Sequence, residues 1–322
     1  MKRIPKIFLI IISVITFLSS SAFSFEGPLQ VNNLFPIFLH ADQPYLEKAG
    51  MESSISYSLS HSSTYTVQSS GQWDIFLDME ITALNFRYKR IIKDIAEFDM
   101  DVPLLIIGGG FMDGLLADYH STFGFPDYGR SARPENEFLY EVRRDGNLII
   151  KGRSGIRLGD IRLAVKKPLI TSEGFGLSVK GDVELPVGNA KEGYGNGSMD
   201  AGIALLLDKK ITDNIMTYAN LGVVFPGDVR GYEKVDLNNF VYGGAGVEAY
   251  VGKGVSFLVH LQGQSPIYSE TDLLAIDRDA YLFVIGGRYR TGKRSFDLSL
   301  TEDINTSGAP DFILNFTYKH NL

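Results

Sequence analysis

From residue 53 to the end of the chain, apolar and polar residues alternate with period 2. This is the pattern of strands that turn one face to an apolar medium and the other to polar neighbours. Ile55, Tyr57 and Leu59 share a face with serines opposite. Phe175, Leu177, Val179, Val183, Leu185 and Val187 alternate with Ser178, Lys180, Asp182 and Glu184. Val255, Phe257, Val259 and Leu261 alternate with Ser256, His260, Gln262 and Gln264. The last dozen residues end on the same pattern, with Phe312, Leu314, Phe316 and Tyr318 on one side and Asn315, Thr317 and Lys319 on the other. One segment changes parity, from Trp73-Ile75-Leu77-Met79 to Leu84-Phe86-Tyr88, which predicts a β-bulge near Ile81 to Ala83.

The connections alternate in length. Arg90–Ile95, Pro168–Ser172, Lys209–Asn214, Gly252–Gly254 and Thr291–Ser295 are short, whereas 108–136, 188–198, 226–237, 266–280 and 304–310 are longer and polar. Short periplasmic turns with long outer loops are the outer-membrane pattern. Strands in lipid must close on themselves, because an open edge leaves backbone groups unsatisfied. The reading is therefore an all-β protein, a single transmembrane antiparallel β-barrel closed by its last strand. It has about 14 strands, or 12 if the hairpin from Phe138 to Ile150, turning at Asp145-Gly146, rises above the membrane. The long extracellular loop carries helical spacing from Asp113 to Phe123.

The front of the chain sets the compartment. Lys2, Arg3 and Lys6 precede an apolar run from Ile7 to Leu18, and Ala22 and Ser24 offer an A-x-A-like cleavage site. The run is shorter than the roughly 20 residues of a spanning helix. Residues 1–24 are read as a cleaved signal peptide, 25–52 as an N-terminal segment and 53–322 as the barrel. The chain has 31 basic and 38 acidic residues; losing the three basic residues of the leader leaves 28 against 38, a balance of −10. That excess opposes nucleic acid or an anionic phospholipid surface as partners. The absence of cysteine excludes disulfides and thiolate metal sites.

The polar faces look complementary across hairpins. If Tyr88 pairs with Phe98, Arg87 lies opposite Asp99, Lys89 opposite Glu97, and Asn85 opposite Asp101. If Tyr289 pairs with Phe296, Arg288 lies opposite Asp297. These residues, with His260 and Gln262, are the expected lumen lining, and the charge pairs are read as networks across a shared wall.

Chemistry could also sit in the 108–136 loop, with Gly109, Gly110, Asp113, Asp118, His120 and Arg130 as its candidate residues. The triple glycine lacks the Lys-Ser/Thr of a phosphate cradle and reads as a hinge. Asp113, Asp118 and His120 fit no known metal spacing. Ser121 lies beside His120 in sequence, an awkward arrangement for a serine–histidine pair, and no G-x-S-x-G elbow occurs. Neither a catalytic residue, a metal nor a cofactor is assigned.

Asn33-Leu34-Phe35-Pro36, Gly109-Gly110-Phe111-Met112-Asp113-Gly114, Asp118-Tyr119-His120, Phe123-Gly124-Phe125-Pro126 with Gly129-Arg130 and Arg133-Pro134, Leu158-Gly159-Asp160-Ile161-Arg162-Leu163 and Leu185-Pro186-Val187-Gly188 follow one another in that order. Together they resemble the bacterial outer-membrane family of unknown function numbered 3187. The last two motifs also resemble the outer-membrane family associated with phenol meta-cleavage pathways, although Val187 stands where that pattern usually has Thr. The resemblance implies location and fold and supplies no reaction. The expected role is a monomeric channel in the outer membrane for a small, apolar solute, with the 108–136 loop as constriction or lid. Its expected partners are outer-membrane lipid and, through the C-terminal strand, the barrel-assembly machinery. A lipid hydrolase acting through that loop and a structural or surface-interaction barrel without transport are the competing classes.

Overall fold

The computed structural model describes residues 25–322 apart from 38, 40, 43, 125–132, 306, 307 and 311. The predicted signal peptide and Arg130 lie outside the described residues. The alternating segments form β1 (Ser54–Ser69), β2 (Trp73–Ile92) and β3 (Ala96–Gly108), followed by helix α1 (Asp113–Phe123). Next come β4 (Leu139–Arg144), β5 (Asn147–Lys151), β6 (Gly155–Leu158), β7 (Ile161–Ser172), β8 (Phe175–Leu185), β9 (Asp200–Thr212) and β10 (Ile215–Phe225). The remainder are β11 (Val229–Arg230), β12 (Lys234–Val235), β13 (Phe240–Gly252), β14 (Val255–Gln264), β15 (Ala280–Thr291), β16 (Arg294–Asp303) and β17 (Phe312–Asn321).

Twelve antiparallel staves close a barrel. β6 and β7 together make one of them, both pairing with β3 on either side of Gly159-Asp160. β17 closes on β1 from Ser54↔Asn321 to Ser63↔Phe312. The β4–β5 hairpin extends β2 from Trp73↔Arg144 to Asp78↔Leu139 and stands outside the ring, which settles the strand count at twelve. Two-residue turns at Glu173-Gly174, Asp213-Asn214, Lys253-Gly254 and Gly292-Lys293, and the three-residue turn Lys93–Ile95, close one end. By the pattern of outer-membrane barrels, that end is periplasmic.

The two faces of the wall separate cleanly. Tyr57, Phe257 and Leu298 are each more than half exposed on the outside, while Arg87, Lys166 and Arg288 are buried within. Phe98, Met100 and Val102 face outward and alternate with buried Asp99 and Asp101. Met100→Arg should therefore destabilise the barrel by about 2–4 kcal/mol, as expected for a cation near the bilayer midplane. Asp99→Asn should leave the barrel assembled. Urea titration in micelles, followed by the heat-modifiable gel shift, checks both; a harmless Met100→Arg would mean that the assigned faces are reversed.

Two local expectations are corrected. β2 pairs with β1 without a bulge from Ser54↔Lys89 to Ser69↔Asp74. The parity change arises because the inner face itself turns apolar: Ile75, Leu77, Met79, Ile81, Leu105 and Ile107 point inward into a core at the extracellular end. Leu34, Phe35 and Ile37 of the N-terminal segment, Tyr140 and Ile150 of the β4–β5 hairpin, and Tyr268 and Ile276 of an outer loop complete that core. The β2–β3 register also differs by two residues from the expected one. Arg87 lies opposite Asp101, Lys89 opposite Asp99 and Tyr88 opposite Met100, because the turn uses Lys93, Asp94 and Ile95. A slip of two preserves the face of every side chain. The anticipated partners consequently meet diagonally, with Arg87 Nε donating to Asp99 Oδ1 over 2.9 Å and Lys89 lying 3.7 Å from Glu97. Arg288↔Asp297 and Tyr289↔Phe296 occur in register.

Candidate functional site

The lumen is occupied by the chain's own residues 25–52. The segment has no strand periodicity and carries Pro28, Pro36 and Pro44, so it cannot join the sheet as a regular strand. Its entry is fixed at the periplasmic mouth, where Lys319 Nζ lies 2.5 Å from Glu26 and Asn321 Nδ2 donates to Glu26 over 3.0 Å. Leu29, Val31, Leu34, Phe35 and Ile37 are buried as it rises to the apolar core. It then returns past Asp42, Tyr45 and Glu47 to β1.

Its carboxylates meet the cations of the inner wall. Glu47 lies 2.7 Å from Arg87, 3.0 Å from Lys89 and in direct contact with Lys180. Glu52 lies 3.2 Å from Lys319 and 3.3 Å from Lys89. Asp42 binds Arg162, and its backbone N–H donates to Asp200 over 2.8 Å. Tyr45 packs its ring 4.5 Å from the Arg87 guanidinium and 5.3 Å from that of Arg162. Backbone groups join in: Lys166 donates to the carbonyls of Lys48 and Gly50, and Asp208 accepts the N–H groups of Ala49 and Gly50. Burial pushes the Glu47 carboxyl up, but the Arg87, Lys180 and Lys89 charges outweigh it and hold its pKa well below the usual carboxylate range. Glu52 behaves likewise through Lys319, Lys48 and Lys89.

The expected lumen residues are thus mostly partners of this segment and of each other. Arg87, Lys89, Glu97, Asp99, Asp101, His260, Arg288 and Asp297 are all buried, and Gln262 is half-buried. Arg288 grips both oxygens of Asp297 at 2.7 Å and donates to the Gly27 carbonyl at 2.7 Å. His260 Nε2 accepts the Leu29 N–H at 3.3 Å. Sequence reasoning missed the other half of the network: Glu26, Asp42, Glu47 and Glu52 on the segment, and Arg162, Lys166, Lys180 and Lys319 on the wall. The available signal was their opposite sign, since the segment carries four acids while inward strand positions such as Arg162, Lys166, Lys180 and Lys319 carry cations.

Between segment and wall lie cavities of about 60, 30 and 20 Å³. The largest is lined by Gln30, Tyr45, Asn85, Asp101, Arg162 and Glu184 among others. At about 10–15 Å³ per water, these spaces suit a few waters rather than a solute.

The 108–136 loop is rooted on the outer face of β2. Glu80 accepts the N–H groups of Phe111 and Met112 at 2.9 and 2.5 Å, and Asp78 binds Arg133 at 2.6 Å. Asp113 is buried and caps the N–H of Asn136 at 2.7 Å, while Asp118 is exposed. His120 belongs to α1, but its side chain is outside the described set. His61 bridges Thr82 (2.7 Å) and Glu80 (3.0 Å), with Phe111 stacked on its ring. These contacts cross strands, which residue spacing could not reveal.

The expected hinge glycines serve close packing instead. A Cβ on Gly109 would lie 2.1 Å from the Asn136 carbonyl, and one on Gly110 (φ +76°) would lie 1.8 Å from the Glu80 carboxylate carbon. Gly110→Ala should therefore release the loop root while leaving the barrel intact, because both sterics and φ oppose a side chain there. Limited proteolysis within 109–138 should be markedly faster, and unchanged protection would contradict the packing role.

A closed twelve-stranded antiparallel barrel with short turns at one end, an apolar outer belt and an occupied polar lumen defines a transmembrane β-barrel of the outer-membrane type. The chain belongs to the DUF3187 family, described as a protein of unknown function, whose sequence profile matches residues 6–322. A comparison with curated protein sequences finds no match. Among solved structures it is similar to the COG4313 outer membrane channel from Pseudomonas putida F1, with TM-score 0.57 and 13% identity over 85% of this chain and 96% of that one. It is less similar to the NanC porin (TM-score 0.47, 7% identity, 83% and 98% covered). The CymD monoaromatic hydrocarbon channel follows (TM-score 0.42, 10% identity, 85% and 90% covered). At these identities the likeness is one of fold.

Proposed function

We propose that this protein is an outer-membrane channel for a small solute, closed at rest by residues 25–52. The observation that carries the reading is the segment's attachment. Its described residues are held by ion pairs and single hydrogen bonds to the inner wall and by the apolar contacts of Leu34, Phe35 and Ile37, and share no strand ladder with it. The polar contacts can be exchanged for water one at a time, whereas the barrel's own ladder must break cooperatively. The apolar core at the extracellular end and the charged mid-lumen make two barriers in series; withdrawing the segment would open a path past both, lined by the wall's own charges such as Arg87, Arg162 and Lys180. The 108–136 loop, tied to the outer face of β2, would act as a lid over the mouth rather than as the constriction. Non-enzymatic action, a monomeric state and assembly through β17 belong to the same proposal.

A structural barrel without transport is the second reading, favoured by the small size of the lumenal cavities. Swelling of proteoliposomes in a graded series of small neutral solutes separates the two. Uptake that rises when residues 26–50 are deleted supports a channel. No swelling by either protein, with both correctly folded, leaves the structural role.

A further inference from the structure

We propose that the periplasmic rim of the barrel is a docking collar for anionic phospholipid headgroups of the inner leaflet. Arg90, Lys93, Lys167, Lys209, Lys253, Lys293 and Arg294 are exposed around it, and among the described residues no ion pair is recorded for any of them. Lys210 adds an eighth cation, engaged with Asp213 at 2.7 Å. Only three carboxylates share these turns, Asp94, Glu173 and Asp213. The rim is therefore strongly positive on a chain whose formal net charge is −7. The chain-wide excess of acid that opposed an anionic lipid surface is not a property of this end.

Position fits the partner. The outward apolar belt runs down to the same turns, where Ile92, Ile95, Ile170, Ile211 and Val251 are exposed. A lysine one or two residues beyond such a belt places its stem along lipid and its ammonium at phosphate level. The cations recur around the circumference, in the turns at Lys93, Lys253 and Lys293 and in the strands leading to the other two turns at Lys167 and Lys209, which suits a ring of many small headgroups better than a single compact protein partner.

The backbone supplies an independent indication. Lys93 sits at φ +50° and Lys253 at φ +53°, in the left-handed region. Glycine, asparagine and aspartate occupy that region with less strain. Two turns thus carry lysine where the fold alone would favour a residue without positive charge. Attraction of juxtamembrane Lys and Arg to anionic lipid is electrostatic and is screened by salt.

Native mass spectrometry of the full-length protein released from mixed micelles of equimolar phosphatidylglycerol and phosphatidylethanolamine tests the collar. Phosphatidylglycerol adducts should exceed phosphatidylethanolamine adducts by about threefold or more at low salt. Lys93→Gln/Lys253→Gln/Lys293→Gln/Arg294→Gln should bring the ratio close to parity with its heat-modifiable migration unchanged, and Lys293→Gln/Arg294→Gln alone should give an intermediate ratio. An extracellular control, Lys151→Gln/Arg153→Gln/Lys191→Gln/Lys234→Gln, should keep the preference, and millimolar inorganic phosphate should not compete. The proposal is overturned by parity in the wild type, by a ratio unmoved in the rim variants, by equal loss in the control, or by displacement with phosphate. Capture of a periplasmic protein by the rim without any lipid preference would also overturn it.

Discussion

Oxidation of an Ala49→Cys/Gly176→Cys variant is expected to hold the pore shut in planar bilayers, and reduction with dithiothreitol is expected to restore wild-type openings. Ala49 lies on the lumenal segment and is 1% exposed. A Cβ built on Gly176 of β8 stands 3.3 Å from the Ala49 Cβ. Disulfides have Cβ separations of about 3.5–4.5 Å, so a small backbone adjustment suffices. The natural chain contains no cysteine, so the new pair has no competitor. A disulfide pins the segment's return limb, beside Glu47, without altering the charges that hold it. Deleting residues 26–50 should have the opposite effect and raise single-channel conductance severalfold. If the oxidised variant conducts like the wild type, release of that limb is not the opening step; if the deletion also leaves conductance unchanged, the segment is not the gate.

The second large effect concerns Glu47. Glu47→Gln leaves Arg87, Lys89 and Lys180 buried without their shared counter-charge. Breaking a buried ion pair from one side typically costs about 3–5 kcal/mol, far more than the about 0–1 kcal/mol of a surface pair. Urea unfolding in micelles should report that loss, and Glu47→Gln/Lys180→Met should recover part of it by removing one stranded cation. A loss below about 1 kcal/mol would mean that water reaches the network. The pH dependence follows from the depressed Glu47 carboxyl. Its stabilisation is complete above the unfolded carboxylate value of about 4.3 and disappears only as pH falls through the much lower folded value. The Glu47 ion pairs should therefore persist across neutral and mildly acidic pH and weaken only in strong acid.

The legible and illegible parts of this chain divide along the range of the interactions. Alternation, turn chemistry and loop lengths are local, and they placed the periplasmic turns, the Asp145-Gly146 hairpin and the closing strand. The pairing of Arg288 with Asp297 was also local, because a two-residue turn at Gly292-Lys293 fixes that register. The Arg87 pairings survived a register error because a shift of two conserves the face. The supposed bulge at Ile81 to Ala83 came from equating apolar with lipid-facing. That rule fails where outer loops fold into the barrel mouth and give the inner wall an apolar partner. The Gly109-Gly110 pair looked like a hinge because a sequence shows the missing side chain but not the Asn136 carbonyl and Glu80 carboxylate that need its space.

By itself, the sequence determined a cysteine-free chain whose strands must close into a membrane barrel. A period of two in a lipid solvent leaves no other way to satisfy the backbone. It also determined which residues face inward wherever the inner face is polar, though not along the apolar upper part of β2. The tertiary structure alone decided that the ring has twelve strands, that the 108–136 loop is rooted on the outer face, and that residues 25–52 fill the lumen. Those outcomes rest on contacts between residues far apart in the chain, such as Glu47 with Lys180 and Glu26 with Lys319. The segment itself has no period to betray its place. Its position is set by charge and shape complementarity to a surface that exists only after the barrel has closed.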